Sequence, residues 1–589
     1  MHVGEQLVDR LVRYGVRHVF GCPGGQTLPL YNGIARRPLD IEHVLMHDER
    51  SGAYAADGYA RATGRIGVCD ATVGPGASNL VSGLVEAYSS SVPVLAIVSD
   101  IPRGWEHRRP YGSASQAFEQ RNFLEACVKY YGRVQTPESL PEMLHACVRT
   151  ATTGRPGPVV LEVPDDVFAA EAGTDDFPIS PESATYARVR FAPDPAAVRR
   201  AVELLRSSRK PLVIAGGGVL HSGAEAEVAR LVEALDVPIA TTLTGKGSIA
   251  ETHRLSIGVA GRFGVPVANA IVEEADCVIF IGCKTGQSTT LNWTLPYLDT
   301  PVIHIDVDPN ELGRSYHATV ALAADAKLGA AALADAVAVA DALADGAPSF
   351  DWDAERIAAL RDGWWDGPIE FKRPPVPGVL KPQDMMRVMR QAMSDDDLFV
   401  SDASLASGWI ASRWQIRTTG RHFFAPRGLA GLGWGLPAAI GVATATLGRE
   451  AAPGGQRAPR VVCLAGDGGW GYSLTEIETA TRMGLPIVSV VLNNSSLGWI
   501  KHSAASRYPD AMVSQDFLEV SYADAAKALG AQVTFVDDLH QFEVAVKSAL
   551  EDETRGPWVI EARTCDVETP VLPSRAPAPG AAPAARGGY

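Results

Sequence analysis

At 589 residues, with 46% hydrophobic and 21% charged side chains, the chain is too long for one ordinary core; at about one domain per 100–200 residues it should hold three or four. Its formal charge of −15 at pH 7 argues against nucleic acid or an anionic membrane as the main partner. The cysteines at 22, 69, 127, 147, 277, 283, 463 and 565 form neither CxxC pairs nor zinc-like spacings with histidine, which reads as free thiols in a reducing cytoplasm.

The opening MHVGEQLVDRLVRYGVRHVFG has no basic segment followed by an apolar one, and no apolar run of about 18 residues occurs anywhere. The sequence therefore predicts a soluble, cytoplasmic protein that neither spans nor binds a membrane.

Residues 1–180 alternate amphipathic helical stretches with the β-rich runs RHVFG, IEHVLM, RIGVCDAT, VPVLAIVSD and GPVVLEVP. Such runs, spaced by helices, predict a parallel sheet covered on both faces. A second block over 190–345 has PLVIAGGG, VPIATTL, CVIFIG and PVIHIDVD as strands and an Ala-rich closing helix. FKRPPVPGVLKP, 371–382, reads as a linker. A third block, 383–570, has strands in RVVCLAGDG, IVSVVLNN and PWVIEART. The tail 571–589 has few large apolar groups to offset ordering entropy and reads as flexible. The expected fold is α/β, with three consecutive doubly wound parallel-sheet domains.

Within the third block, RVVCLAG is a strand that ends just before Asp467; a helical stretch with a Gly stop comes next, and LPIVSVVLNN is a second strand ending at Asn493 and Asn494. A strand-helix-strand unit returns the chain in parallel, so Asp467 and Asn494 should meet at one sheet edge. A carboxylate and an amide oxygen are hard ligands suited to Mg²⁺, which commonly fills its octahedron with water and phosphate oxygens. Gly466, Gly468 and Gly469 let backbone N–H groups approach phosphates. GDG alone is equally a βα turn with an Asp cap; its pairing with NN across an intervening helix is more specific.

That joint pattern resembles the diphosphate-binding domain of thiamine-diphosphate enzymes of the acetolactate synthase and pyruvate decarboxylase superfamily. The resemblance implies Asp467, Asn494 and the backbone carbonyl of Ser496 as metal ligands, with Gly498 closing the same loop. In the first block, LMHDERSGAYAADGYARATG resembles the pyrimidine-binding region of the same family, which places the catalytic glutamate at Glu49. A carboxylate buried there would have its pKa raised and could share a proton with the pyrimidine N1′. TVGPGASN matches the family's turn beside that ring, bringing in Gly74, Pro75 and Asn79. Gln116 and Gln120 align with a loop that reaches the reactive end of the cofactor.

RGLAGLGWGLPAAIG resembles the segment that bends the cofactor, with Leu432 as the apolar wedge and the Ala430 carbonyl as acceptor for the 4′-amino group. Trp499, Lys501, His502 and Arg507 are candidates to shape the substrate pocket, His502 also as a proton relay. The middle block resembles the central domain of acetolactate synthases, which often holds FAD without using it for redox chemistry. Where those relatives carry Arg-Phe-Asp-Asp-Arg, this chain has GCKTGQSTTLNW, which leaves FAD, an ADP-containing ligand or an empty cleft open.

The reaction the resemblance implies is decarboxylation of a 2-keto acid such as pyruvate and transfer of the acyl-anion equivalent to an acceptor carbonyl. Pyruvate decarboxylases use a His-His pair in the first block; WEHRRPYG has only His107, which favours carboligation over the alternatives, a non-oxidative decarboxylase or thiamine-dependent lyase. A non-catalytic protein of the same fold fits less well, since Glu49, Leu432, Asp467 and Asn494 are all in place. The resemblance also implies a homodimer or homotetramer, because the two thiamine-binding domains face each other across subunits.

Overall fold

A computed structural model describes residues 1–343, 349–447, 457–552, 554 and 556–570; the tail assigned to 571–589 lies outside the described residues. The described residues form three six-stranded sheets, in which the paired strands run parallel.

The first sheet is built from β1 (His18–Gly21), β2 (Glu42–Leu45), β3 (Gly67–Ala71), β4 (Val94–Asp100), β5 (Tyr130–Arg133) and β6 (Val159–Pro164), in the order β2-β1-β3-β4-β6-β5. β3, β4 and β6 are buried along their whole length, as strands covered on both faces must be. The second sheet holds β7 (Pro211–Ala215), β8 (Ile239–Thr241), β9 (Ser256–Val259), β10 (Cys277–Ile281), β11 (Val302–Asp306) and β12 (Ala318–Ala323), ordered β12-β11-β10-β7-β8-β9. That is the nucleotide-fold order 3-2-1-4-5-6, with its switch point between β7 and β10. The third comprises β13 (Leu398–Ser401), β14 (Phe423–Phe424), β15 (Val461–Gly466), β16 (Ile487–Asn493), β17 (Gln532–Val536) and β18 (Trp558–Arg563), ordered β14-β13-β15-β16-β18-β17. Renumbered from their first strands, sheets one and three have the same topology.

The chain clusters into two compact units, one of residues 1–190, 369–407 and 421–568, the other centred on 191–368 with 408–420. Inside the first unit the helix Glu49–Thr63 lies against the helix Gly435–Thr446. The small residues of both sequences are what permit this: a Cβ at Gly58 would strike the Ala438 backbone, and one at Gly441 the backbone of Ala55. The stretch 371–382 is pinned at its end, because Leu380 bridges Thr564 and the buried Lys381 ammonium sits 2.8 Å from Glu568. In the second unit, the buried Lys246 ammonium lies 2.5 Å from Glu251, whose other oxygen accepts from Ile416 N, so the TGKG loop is tied to 408–420.

Candidate active site

At the carboxyl edge of the third sheet β15 and β16 run side by side, with Gly466 opposite Leu492, so the residues just past each strand meet. Asp467 opens a short helix, Asp467–Gly471, and its side chain is 2% exposed. Its Oδ1 accepts from Gly468 N at 2.7 Å and its Oδ2 from Ser496 N at 3.2 Å. Asn494 Oδ1 accepts from the same Ser496 N at 3.1 Å and from Ser496 Oγ at 3.1 Å. Carboxylate and amide oxygens thus converge on one backbone amide.

The two asparagines divide their tasks by strand alternation. Asn493 donates to Glu561 at 2.6 Å and to Val520 O at 3.1 Å, whereas Asn494 turns its Oδ1 to Ser496, the residue that also serves Asp467. Burial pushes the Asp467 carboxyl up to about 6, against the pull of the amides at 468, 496, 494 and 495. A cation at this place would restore the ionised form, so the donor set fits a hard divalent ion. Among the described residues no group of three or more His, Cys, Asp or Glu could hold a metal alone. A carboxylate, an amide oxygen and a backbone carbonyl instead match an ion whose remaining ligands come from phosphate and water.

The glycines differ in what they do. A Cβ at Gly466 would meet nothing within 4 Å, the open space an entering group needs. One at Gly468 would press on Leu497, and one at Gly469 would overlap Asp402 Oδ2. Leu432 Cδ2 lies 3.7 Å from that same Gly469 position, so the wedge residue and the GDG turn are neighbours. Ala430 sits in the left-handed region at φ 59° and donates its N–H to Glu86 at 2.8 Å. Gly498 starts the helix Gly498–Arg507 beside Asn494.

The carboxyl edge of the first sheet gathers a second group. Asp48 caps the helix Glu49–Thr63 by accepting from Arg50 N, so Glu49 is its first residue. Glu49 Oε2 accepts from Asn79 Nδ2 at 2.9 Å, and its Oε1 lies 3.0 Å from where a Cβ on Gly76 would be. Gly74 has φ 77°, donates to Gln120 Oε1 at 3.5 Å and leaves no room for a side chain against Gln116 O. Glu49, the Gly74-Pro75 turn, Asn79, Gln116 and Gln120 are therefore together. Glu49 is only half-buried in the single chain, unlike the buried carboxylate expected from the sequence.

The two glutamines are not alike. Gln116 is exposed and left-handed at φ 64°. Gln120 is 1% exposed and spends its amide on Ser99 O and Glu162, at 2.9 and 3.0 Å, so it braces the Gly74 turn from within. His107 is exposed beside Arg108. His502 is half-buried, its Nε2 has no partner among the described residues, and burial together with Lys372 lowers its pKa. Lys501 is held by Asp516 at 2.8 Å and Asp566 at 2.9 Å. Trp499 is half-buried on the same helix, and Arg507, at its end, is exposed.

Among the described residues no hydrogen bond or ion pair joins Glu49 to Asp467 or Asn494. Two acids without a sequence motif of their own also brace these loops. Asp402 comes directly after β13, accepts from Ala403 N at 2.7 Å and Gly433 N at 3.1 Å, and burial pushes its carboxyl up to about 6. Glu86, fully buried, faces the 427–430 loop. Asp402 has the same strand-end signal as Asp467, but on a four-residue strand.

At the β7/β10 switch point, Gly216 and Gly218 donate to Ile281 O and Gly282 O at 2.8 and 3.0 Å, and their lack of Cβ admits Gly282. No helix of the described residues is long and apolar enough to cross a membrane.

Three family models match in succession: the thiamine pyrophosphate enzyme N-terminal TPP binding domain over residues 1–125, the central domain over 198–333 and the C-terminal TPP binding domain over 402–562. The chain is 32% identical over 573 residues to an acetolactate synthase of Arthrospira platensis, covering 95% of this chain and 93% of that protein. To a probable acetolactate synthase large subunit of Methanococcus aeolicus it is 30% identical over 566 residues, 93% and 90% of the two chains. To the acetolactate synthase isozyme 2 large subunit of Escherichia coli (strain K12) it is 30% identical over 589 residues, 97% and 98% of each.

Proposed function

The chain belongs to the thiamine pyrophosphate enzyme family as an acetolactate-synthase-like carboligase, and from that premise we propose which of its residues do what. When bound, thiamine diphosphate supplies the electron sink that a 2-keto acid needs to lose CO₂. The protein's part is geometry, charge and one proton.

Asp467, Asn494 and the Ser496 carbonyl would hold Mg²⁺, and the backbone amides after Gly466 would bind the diphosphate. Leu432 would support the ring system, and the Ala430 carbonyl would accept from its amino group. Glu49 holds a proton at the pyrimidine N1′, oriented by Asn79. The observation that carries this reading is the convergence of Asp467 Oδ2 and Asn494 Oδ1 on Ser496 N, at 3.2 and 3.1 Å, below an open strand end.

Glu49 is half-exposed in one chain and unconnected to Asp467 among the described residues, which supports assembly of each complete site from two copies, in a homodimer or homotetramer. The donor is a 2-keto acid such as pyruvate, the acceptor a second carbonyl compound. For the central sheet, the β7/β10 switch point is the place for FAD or another ADP-bearing ligand, with an empty cleft as the alternative; the absorption spectrum of the purified protein decides whether a flavin is bound.

The experiment is mass spectrometry of products from protein loaded with Mg²⁺ and thiamine diphosphate, given pyruvate alone and with a panel of aldehydes and keto acids. A product with a new carbon-carbon bond names the acceptor. Free acetaldehyde as sole product would assign the chain to the decarboxylases instead.

A further inference from the structure

The loop 425–434, which carries Ala430 and Leu432, is gripped along its length by a buried charged triad from two helices of the first block. Glu86, on the helix Val81–Ser90, is fully buried. Its Oε1 accepts from Arg427 N at 3.1 Å and Gly428 N at 3.0 Å, and its Oε2 accepts from Leu429 N and Ala430 N, both at 2.8 Å. Consecutive amides thus fold around one carboxylate, an arrangement that a neutral side chain cannot satisfy at both oxygens.

Arg61 completes the grip. It donates to Glu86 at 3.1 Å, to Asp57 at 3.0 Å and to Ala425 O at 2.9 Å, and its guanidinium lies 5.0 Å from the centre of the Trp434 ring. Trp434 Nε1 in turn donates to Asp57 at 2.8 Å. The loop is held at its start by Arg61, in its middle by Glu86 and at its end by Asp57 and Arg61. Burial alone would raise the Glu86 carboxyl, but Arg61, Ser90 and the amides of Ala430 and Gly428 keep it below the usual range, so the anion persists across neutral pH.

This grip has a conformational product. Ala430 sits at φ 59°, a left-handed conformation unfavourable for an L-residue that persists only where surroundings impose it. The Ala430 N–H held on Glu86 orients the Leu429–Ala430 peptide plane, and with φ at 59° this sets where the Ala430 carbonyl carbon stands and the course of the chain toward Leu432.

We propose that Glu86 is a positioning residue for thiamine diphosphate: by collecting the amides of 427–430 it sets the Ala430 carbonyl and the Leu432 side chain against the ring portion of the cofactor, with no part in holding the diphosphate. The proposal rests on the cofactor reading given above, and it separates ring recognition from phosphate recognition.

Calorimetric titration of full-length apoprotein with thiamine diphosphate and, separately, with inorganic pyrophosphate, both with Mg²⁺, tests it in wild type and Glu86→Gln. Expected in the variant is a loss of thiamine diphosphate affinity of about ten-fold or more, the size of one charge-assisted hydrogen bond, with pyrophosphate affinity within about two-fold. Equal losses for both ligands, or no loss, overturn the proposal. Failure of wild type to bind thiamine diphosphate overturns the cofactor reading itself.

Hydrogen exchange of the wild-type apoprotein decides the matter if the variant does not fold. The 427–430 amides should be protected and further slowed by Mg²⁺ and thiamine diphosphate but not by Mg²⁺ and pyrophosphate. Exchange as fast as in the exposed 518–521 stretch, or equal slowing by both ligands, would overturn it.

Discussion

Sheets one and three have one topology and present different chemistry at matching strand ends. After β15 and β16 come Asp467 and Asn494, whose oxygens converge on one amide. In the matching strands of the first sheet, β3 is followed by the Gly74-Pro75 turn and β4 ends on Asp100. Asp100 is already spent on Arg109, at 3.0 and 2.6 Å, and on Arg133 at 3.4 Å. An acid neutralised in this way offers no ligand to a cation. The topology supplies the same ledge twice; the proposed functions differ because the residues on it differ.

If that division is right, the two ledges fail differently. Glu49→Gln should lower turnover by roughly a hundred- to ten-thousand-fold, the range of a lost general acid-base group, while calorimetric affinity for Mg²⁺ and thiamine diphosphate stays close to wild type. Asp467→Ala should weaken cofactor affinity about a hundred-fold, or ~2.7 kcal/mol. Near-saturating cofactor should then restore much of its turnover but none of that of the Glu49 variant. Equal loss of cofactor in both variants would erase the distinction between the sheets.

Asp402 sharpens the comparison, because it is a buried acid on the third ledge that takes backbone amides in place of a metal. Its folded value of about 6 lies above the ordinary aspartate value of 3.8. A raised folded value means that its stabilising contribution is complete below the unfolded value and is lost as pH rises through about 6. Between pH 4 and pH 7 the stability of Asp402→Asn relative to wild type should therefore rise by about 2 kcal/mol, read from denaturant unfolding of the apoproteins. A difference that stays constant with pH would show that Asp402 is ionised throughout.

Much of this is legible in the sequence because the informative elements are long, apolar and end in chemistry. VVCLAGDG and IVSVVLNN announce both their strands and the ligand-bearing turns at their ends. The helix pair 49–63 and 435–446 is legible on one side only, as a small-residue run that has to pack closely. β12 and β17 alternate or expose their faces, and β13 and β14 are four and two residues long, so they offer little pattern to read. Asp402 is hidden together with β13. Glu86 carries no signal at all: it lies mid-helix, and only the tertiary approach of 427–430 gives it partners. The resemblance puts Gln120 in a loop that reaches the cofactor; that its amide is bonded to Ser99 and Glu162 is visible only in the fold.

The smallest effect expected is at Lys501, which sits just past the loop of Asn494 and Ser496 and whose charge would suit a keto-acid carboxylate. Its ammonium is instead committed to Asp516 and Asp566, whose side chains are 67% and 43% exposed. Exposed pairs of this kind contribute under about 1 kcal/mol, so Lys501→Met should barely move the melting temperature. Because the charge is spent within the loop, KM for the keto acid should also change by less than about two-fold. A ten-fold rise in KM at unchanged kcat would mean that Lys501 leaves its aspartates for the substrate, and that the third ledge recognises the donor as well as the diphosphate.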